Sequence, residues 1–129
     1  PSMPSPSEPK PTIAFDEFLK LELRVGTIKA CEPHPNADKL LRIQLDDGTE
    51  NGRQVCAGIK AFYEPESLVG TQVLFVANLE PRTIRGEISQ GMILAGSDIH
   101  EVDEDGKPTE RDVVVLRPDK PVKSGSPVS

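Results

Sequence analysis

Apolar and polar residues alternate over several segments of the chain, which is the pattern of strands with one buried face. In residues 21–30 the apolar positions fall on odd numbers before Gly26 and on even numbers after it. A change of phase at a glycine predicts a β-bulge or a sharp bend, which is typical of the first strand of a small closed barrel. Two further strands with the same alternation are predicted at residues 41–48 and 54–59.

Two short segments carry helical signals instead. FDEFLK (15–20) predicts one amphipathic helix with Phe15, Phe18 and Leu19 on the same face, which suits a core contact or a dimer contact. AFYEPESLVG (61–70) predicts one or two helical turns, because a proline fits the first helical position and a glycine ends the segment. Both helices are too short to form a layer of their own.

The remaining apolar segments complete a recognisable order of elements. Residues 72–79 are apolar on both faces, which predicts a central strand, and residues 91–96 predict another. The predicted order is three strands, a short helix and two more strands, and the first strand is bent. This is the order of an OB fold, an all-β, five-stranded Greek-key barrel. VVVL (113–116) is expected to pair outside this barrel or to extend it.

The composition of the chain argues against several classes of function. A chain of 129 residues forms one domain, and with 4% aromatic residues and no Trp its core must be aliphatic. The net charge of −6 argues against a general DNA-binding protein, although it allows a local basic patch. No apolar stretch approaches the roughly 20 residues of a membrane span, and the first residues lack a secretory signal. Cys31 and Cys56 are expected to be buried free thiols of a cytoplasmic protein, with a disulfide as the alternative.

The chain divides into three zones by composition. Residues 1–12 contain five prolines and three serines and are expected to be a disordered linker or tail. Residues 13–117 are predicted to form the barrel domain, and residues 118–129 a C-terminal tail. Within the domain, the acidic segment 99–112 is expected to hold a solvated hairpin tip (EVDEDG), and the sequence gives it no functional role.

One segment concentrates the candidate functional residues. ANLEPRTIRGEISQG places two cations, Arg82 and Arg85, and a polar Ser89-Gln90-Gly91 turn directly before a predicted core strand. No nucleophile with an adjacent base, metal-ligand cluster or phosphate-binding loop is visible in the sequence. The chain is therefore predicted not to be an enzyme on its own and to need no cofactor and no metal.

Two other polar sites have simple structural interpretations. His34 lies between prolines in a predicted loop and is expected to be exposed or to cap the loop, since no second His or Cys is near to complete a zinc site. The carboxylates of Asp46 and Asp47 are best explained by the turn that they begin.

Six motifs in this order identify a family resemblance: FDEFLKLELRVG, HPNADKLLRIQLD, CAGI, YEPESLVG, VANLEPRTIRG and SQGMILA. The sequence resembles the OB-fold tRNA-binding domain. That domain is found at the C-terminus of many methionyl-tRNA synthetases, in free-standing structure-specific tRNA-binding proteins, and in cofactors and cytokine precursors of eukaryotic synthetase complexes. The resemblance covers about residues 13–117, and the motifs are specific in combination.

The resemblance implies a non-catalytic function. A homodimer would bind folded tRNA by its shape and raise the affinity of a synthetase for it, either as an appendage of the catalytic domain or as a separate protein. The positions that match the family's RNA-facing residues are Asn36, Lys39, Arg42, Asn78, Arg82, Arg85, Ser89, Gln90 and Met92. Cationic side chains supply phosphate contacts, and amide and hydroxyl groups bind sugars and base edges. For Met92 a place in the core is the preferred alternative.

Two rival functions share the predicted fold. A peptide-binding secretion chaperone is the first, because DVVVLRPDKPVKSG is similar to the C-terminus of that family, although that family lacks the full SQGM motif. The second is a module that only dimerises a synthetase. A chaperone would expose an apolar groove, and pure dimerisation would not depend on Arg82 and Arg85.

Overall fold

The computed structural model describes residues 8–129, so most of the predicted linker (1–12) lies outside the described residues. The helices are α1 (Phe15–Phe18) and α2 (Pro65–Leu68). The strands are β1 (Leu23–Pro33), β2 (Leu41–Asp46), β3 (Arg53–Ala57), β4 (Gln72–Val76), β5 (Arg82–Ile84), β6 (Glu87–Ser89), β7 (Met92–Ile93), β8 (Ala95–Val102), β9 (Pro108–Val115) and β10 (Pro127–Val128). No helix in this part of the chain has the length and apolar character needed to cross a membrane.

Five strands form the barrel sheet in the antiparallel order β3-β2-β1-β4-β7, and α2 lies between the third and fourth strands along the chain. The all-β OB fold that the sequence predicts is therefore confirmed. The alternation along β2 is regular: Leu41, Ile43 and Leu45 are fully buried, and Arg42 and Gln44 face outward. The buried core consists of aliphatic side chains and one aromatic ring, Phe75.

The β-bulge in β1 lies at Lys29 and not at Gly26, so the predicted position is wrong. Ile28 pairs with Leu45 and Ala30 with Gln44, which leaves Lys29 as the extra residue. Gly26 keeps regular pairing, and the reason for a glycine there is packing: a β-carbon would lie 3.0 Å from the ring of Phe75.

The predicted fifth strand (91–96) is divided between β7 and β8, and β8 continues into a hairpin with β9. We call residues 95–115 the acidic arm, because they carry seven acidic and two basic residues, a net charge of −5. The EVDEDG segment forms the arm's solvated tip, as expected. At the arm's base Val113 and Val115 are buried, and Leu74 N donates to Leu116 O at 3.1 Å, so VVVL extends the barrel.

The segments at the two ends of the domain behave differently. Phe15 and Leu19 on α1 are 69% and 61% exposed, so the interpretation of this helix as a core contact is wrong. The domain boundary at residue 117 stays a prediction, but the residues beyond it are attached to the barrel. β10 pairs with β1, and Gly125 N donates to Val25 O at 2.7 Å.

Cys31 and Cys56 are free thiols, as predicted, and both are half-buried. They cannot form a disulfide with each other, because they lie on opposite faces of one sheet. Cys31 pairs with the inward-facing Ile43, and Cys56 pairs with the outward-facing Arg42. Burial is the main cause that raises the pKa of Cys31 to about 11, so its reactive thiolate form is scarce at neutral pH.

Candidate nucleic-acid interface

β5 and β6 form a short hairpin, residues 82–89, which we call the basic hairpin. Ile84 pairs with Glu87, so Arg85 and Gly86 form a two-residue turn. Their φ angles are 47° and 89°, and positive values at both positions define a type I′ turn, which matches the twist of paired strands. Gly86 adopts this conformation without strain and leaves Arg85 exposed at the tip.

The loop after β1 holds the tip of the basic hairpin against the barrel. His34 is only 4% exposed, and its Nε2 lies 2.8 Å from Ile84 O. Because His34 Nδ1 accepts the backbone N–H of Asn36 at 2.9 Å, Nε2 must carry the proton and donate to Ile84 O. Asn36 Nδ2 donates to Arg85 O at 3.0 Å. The expectation of an exposed His34 is therefore wrong, whereas its capping contact within the loop is confirmed.

A cleft of about 290 Å³ separates this loop from the hairpin tip. Its lining includes Lys39 on one side and Arg85 on the other. Among the described residues, Lys39, Arg82 and Arg85 are exposed and form no ion pair with a carboxylate. Uncompensated cations at one rim attract a polyanion even when the net charge of the protein is negative.

Arg42, on the outward face of β2, is held by two carboxylates. It donates to Glu32 Oε1 from Nη2 at 2.6 Å and from Nε at 3.1 Å, and to Glu87 Oε1 from Nη1 at 2.5 Å. The hydrogen bond from Arg42 lowers the pKa of the Glu87 carboxyl below its ordinary value, because it favours the ionised form. The contact joins the basic hairpin to the sheet, and it leaves Arg42 far more compensated than the three exposed cations.

The Ser89-Gln90-Gly91 turn closes the barrel at the free edge of β3. Gln90 N donates to Gln54 O at 2.8 Å, and Gln90 Oε1 accepts from Gln54 N at 3.0 Å. Ser89 is 6% exposed, and its hydroxyl accepts from Cys56 N at 3.0 Å. These two side chains replace the strand that the edge lacks, a role that the sequence did not reveal.

Comparison with known proteins identifies this arrangement. Residues 23–127 match the family model described as "Putative tRNA binding domain". The chain belongs to this family. It is 47% identical over 116 residues to a methionine–tRNA ligase of Parabacteroides distasonis, a match that covers 90% of the chain but only 16% of the ligase.

Two solved structures resemble the whole tRNA-binding domain. A MetRS-related protein from Pyrococcus horikoshii matches with a TM-score of 0.75 and 32% identity, over 93% of this chain and 100% of that one. The chaperone CsaA of Bacillus anthracis matches with the same TM-score and identity, over 92% of this chain and 100% of that one. The family resemblance predicted from the motifs, and the function of tRNA binding, are confirmed.

Arg53 is the main polar residue of the tRNA-binding domain that the sequence analysis missed. It pairs with Leu45 and so points into the end of the barrel, where its guanidinium lies 5.0 Å from the centre of the Phe75 ring. Its Nε donates to Asp47 Oδ2 at 2.9 Å, and its Nη1 donates to both Ala77 O and Gln90 O at 2.9 Å. The alternation along β3 was a usable signal, since it places Arg53 on the same face as Val55.

Asp47 has a second role beyond the predicted turn. Its carboxylate, 7% exposed, accepts from the backbone and hydroxyl of Thr49 and from Arg53. Burial raises the pKa of this carboxyl, but the hydrogen bonds from Thr49 and Arg53 outweigh burial and lower the pKa overall. Asp47 thus keeps its charge and fixes Arg53 below the basic hairpin.

The structure brings most of the predicted contact residues to one side of the barrel. Two of them, Asn78 and Met92, differ from the rest in their contacts or their burial. The Asn78 side chain binds the N-terminal segment. It accepts a hydrogen bond from Glu22 N at 2.8 Å and donates one to Lys20 O at 2.7 Å. Met92 on β7 is 49% exposed, so its preferred interpretation as core filling is wrong. The two-arginine hairpin and the loop of Asn36 and Lys39 form the coherent part of the site.

Proposed function

We propose that this tRNA-binding domain is the C-terminal appendage of a methionine–tRNA ligase and binds folded tRNA without catalysing a reaction. The domain spans 16% of the length of the ligase that it resembles, which suits an auxiliary module attached to a larger catalytic protein. Its task is to raise the local concentration of tRNA at the catalytic domain and so to aid aminoacylation. A cytoplasmic location, predicted from the sequence, belongs to the same proposal.

The observation that carries the proposal is a group of exposed cations without ion pairs: Lys39 and Arg85 line one cleft, and Arg82 lies at the base of the same hairpin as Arg85. Lys39, Arg82 and Arg85 are free to contact phosphates, and each contact gains free energy from counterions released by the RNA. Since the hairpin turn and the loop after β1 are fixed to each other by hydrogen bonds, the cations keep a set spacing. A fixed spacing of cations recognises the shape of a folded RNA better than a flexible strand.

All nine predicted contact residues remain in the proposal, with different roles. Lys39, Arg82 and Arg85 contact phosphates directly. Asn36, Arg42, Ser89 and Gln90 hold the hairpin and its loop in position, and Asn78 and Met92 are proposed as contacts outside that group. The acidic remainder of the molecule keeps the binding modest and sensitive to salt.

We also propose a homodimer that uses the N-terminal segment. Ile13, Phe15, Leu19 and Leu21 are between 47% and 69% exposed, and a row of large apolar side chains in one short segment marks an interaction surface. A dimer would present two basic rims to one tRNA and would increase the apparent affinity without any new contact.

A peptide-binding chaperone is the second candidate, favoured by the 32% identity to CsaA of Bacillus anthracis. The face next to the basic hairpin argues against it. Arg42, Gln44, Gln54 and Glu87 make this face polar, whereas a chaperone needs an apolar groove for unfolded segments.

The test is a binding series with folded tRNA, unfolded tRNA and duplex DNA over a range of salt concentrations. Wild type is compared with Arg82→Ala/Arg85→Ala and with Arg111→Ala/Arg117→Ala, which removes the same charge from exposed positions elsewhere. We expect tightest binding to folded tRNA. In the hairpin variant alone, the slope of log K against log salt should fall by about 0.7 to 0.9 for each phosphate that the two arginines neutralise in the wild type.

Two results would contradict the proposal. Equal reductions of affinity in both double variants would mean that only net charge matters. Failure of the wild type to bind any of the three nucleic acids at low salt, together with binding of an unfolded peptide, would favour the chaperone.

A further inference from the structure

We propose that the guanidinium of Arg42 is a stacking platform for an unpaired base of the RNA, and not one of its phosphate contacts. The inference rests on the proposed function and assigns a second subsite beside the basic hairpin, whose ligand is a nucleobase. Planar guanidinium groups serve this purpose in RNA-binding proteins, as aromatic rings do.

The edges of the Arg42 guanidinium are already occupied. Nε and Nη2 both donate to Glu32, and Nη1 donates to Glu87 at 2.5 Å. A planar cation whose nitrogen edges are bound to carboxylates can offer its flat faces to a further ligand. The side chain keeps 23% of its surface exposed, so the group is accessible from outside the barrel.

The charges around Arg42 make a phosphate contact unfavourable. Glu32 and Glu87 outnumber the single positive charge, and a phosphate brought to this point would meet two carboxylates within a few ångströms. A nucleobase is uncharged and avoids that repulsion. The same two carboxylates hold the guanidinium in one plane, which lowers the entropy cost when a base stacks on it.

No aromatic residue of the chain can supply the platform instead. The five aromatic residues lie elsewhere: Phe15 and Phe18 on α1, Phe62 and Tyr63 before α2, and Phe75 in the core. Tyr63 is also held in place, because its hydroxyl accepts the backbone N–H of Val115 at 3.1 Å. OB folds bind oligonucleotides on the face of strands 2 and 3, where bases stack on aromatic rings. On this face of the domain, the planar guanidinium of Arg42 takes the place of an aromatic ring.

The neighbours of Arg42 leave room for a base. Cys56 is directly opposite on β3, Glu32 is opposite on β1, and Ala30, one position further along the same face, is opposite Gln44, so the side chains at two of these three positions are small. Gln44 and Gln54, the next residues on this face, bond to each other at 2.8 Å and form a polar border. Gln54 also donates to Ile88 O, whereas Gln44 Oε1 accepts no hydrogen bond from the described residues and can accept one from the edge of a base that the guanidinium stacks against.

The experiment separates the plane of the side chain from its charge. Arg42→Lys keeps the charge and removes the plane, whereas Arg42→Trp keeps a plane and removes the charge. Because the chain contains no Trp, the introduced indole is the sole tryptophan reporter, and a stacked base quenches its fluorescence. Both changes are made in the wild type and in a Glu87→Gln background, in which removal of Arg42 leaves no half-buried carboxylate unpaired. Thermal unfolding of each variant verifies the fold.

We expect Arg42→Lys to weaken binding of folded tRNA about tenfold, the effect of one stacked base, with an unchanged salt slope. Arg42→Trp should retain binding within about threefold of the parent, and saturating tRNA should quench the indole. The inference is overturned if Arg42→Lys binds like its parent, if it lowers the salt slope by about one phosphate contact, or if saturating tRNA leaves the indole emission unchanged. Failure of wild type itself to bind tRNA would instead refute the proposed function.

Discussion

The basic hairpin and the acidic arm are both two-stranded extensions of the same barrel, and they differ in charge and in attachment. The basic hairpin (82–89) carries two arginines and one glutamate, whereas the acidic arm (95–115) has a net charge of −5. Side chains from the loop after β1, from β2 and from β3 bind the basic hairpin along its length. The acidic arm is mostly exposed and is anchored by Val113 and Val115 at its base.

This difference shows why the net charge of −6 predicts little about the ligand. One projecting arm accounts for −5 of the net charge of −6, so the rest of the molecule is close to neutral and its rim can be locally basic. We expect the field of such a molecule to attract RNA to the hairpin side and to repel it from the arm, which would favour one orientation of the complex. Rigid attachment matters on the side proposed to bind RNA, because cations that move freely lose entropy when they contact RNA.

The largest expected effect concerns the base of the basic hairpin. Arg53→Met should lower the free energy of unfolding by about 3–5 kcal/mol, because it leaves the buried carboxylate of Asp47 without its cation and Gln90 O without its donor. The control in the acidic arm is Arg111→Met, an exposed position where the change should stay within about 0.5 kcal/mol. Urea unfolding measures both values, and equal destabilisation would contradict the difference in attachment.

The next effect compares the two hairpin turns. Gly86 and Gly106 have φ angles of 89° and 81°, so a change to alanine at either position costs about 1–2 kcal/mol of backbone strain. Gly86→Ala should also weaken tRNA binding, because the strain moves Arg85 relative to the loop that holds Asn36. Gly106→Ala, at the tip of the acidic arm, should leave binding unchanged. Isothermal titration with folded tRNA measures the affinity of each variant. Weaker binding with Gly106→Ala would contradict the expectation that the acidic arm takes no part in binding.

The smallest effect is a pH dependence confined to the acidic arm. A hydrogen bond to Asp112 and the charge of Asp98 raise the pKa of His100 above its ordinary value of 6.5. The folded arm binds this proton more tightly than the unfolded chain does. The contact therefore stabilises the arm fully below about pH 6.5, and this stabilisation disappears as pH rises through the raised pKa. An NMR titration of the His100 ring should show a midpoint above 6.5 that falls in Asp112→Asn. A midpoint at or below the ordinary value in the wild type would contradict the contact.

The sequence predicts the barrel well because one buried face forces strict alternation, as along Leu41, Ile43 and Leu45. The same alternation does not reveal which residue of a bent strand is the extra one, so the bulge was predicted at Gly26 when packing against Phe75 explains that glycine. Exposed apolar residues cause a different error, because the sequence alone does not distinguish them from core residues. Phe15 resembles a core residue in the sequence, and only the structure shows that no described part of the domain covers it.

The sequence singles out the cations of the candidate site but not the contacts that hold them in position. Arg82 and Arg85 are recognisable because they precede a polar turn and a predicted core strand. The contacts that fix them join distant parts of the chain: His34 reaches Ile84, which is 50 residues away, and Asn36 reaches Arg85, which is 49 residues away. Local patterns carry no information on such pairs. Ser89 has the residue type of an RNA contact, yet its hydroxyl closes the barrel edge.

The most direct test of the central claim is an NMR map of amide shifts in the isotope-labelled domain as folded tRNA is added. We predict that the largest changes occur in residues 82–89 and at Lys39, and that residues 98–112 of the acidic arm change little. Dominant shifts in the acidic arm, with an unperturbed basic hairpin, would contradict the assignment of the RNA-binding surface.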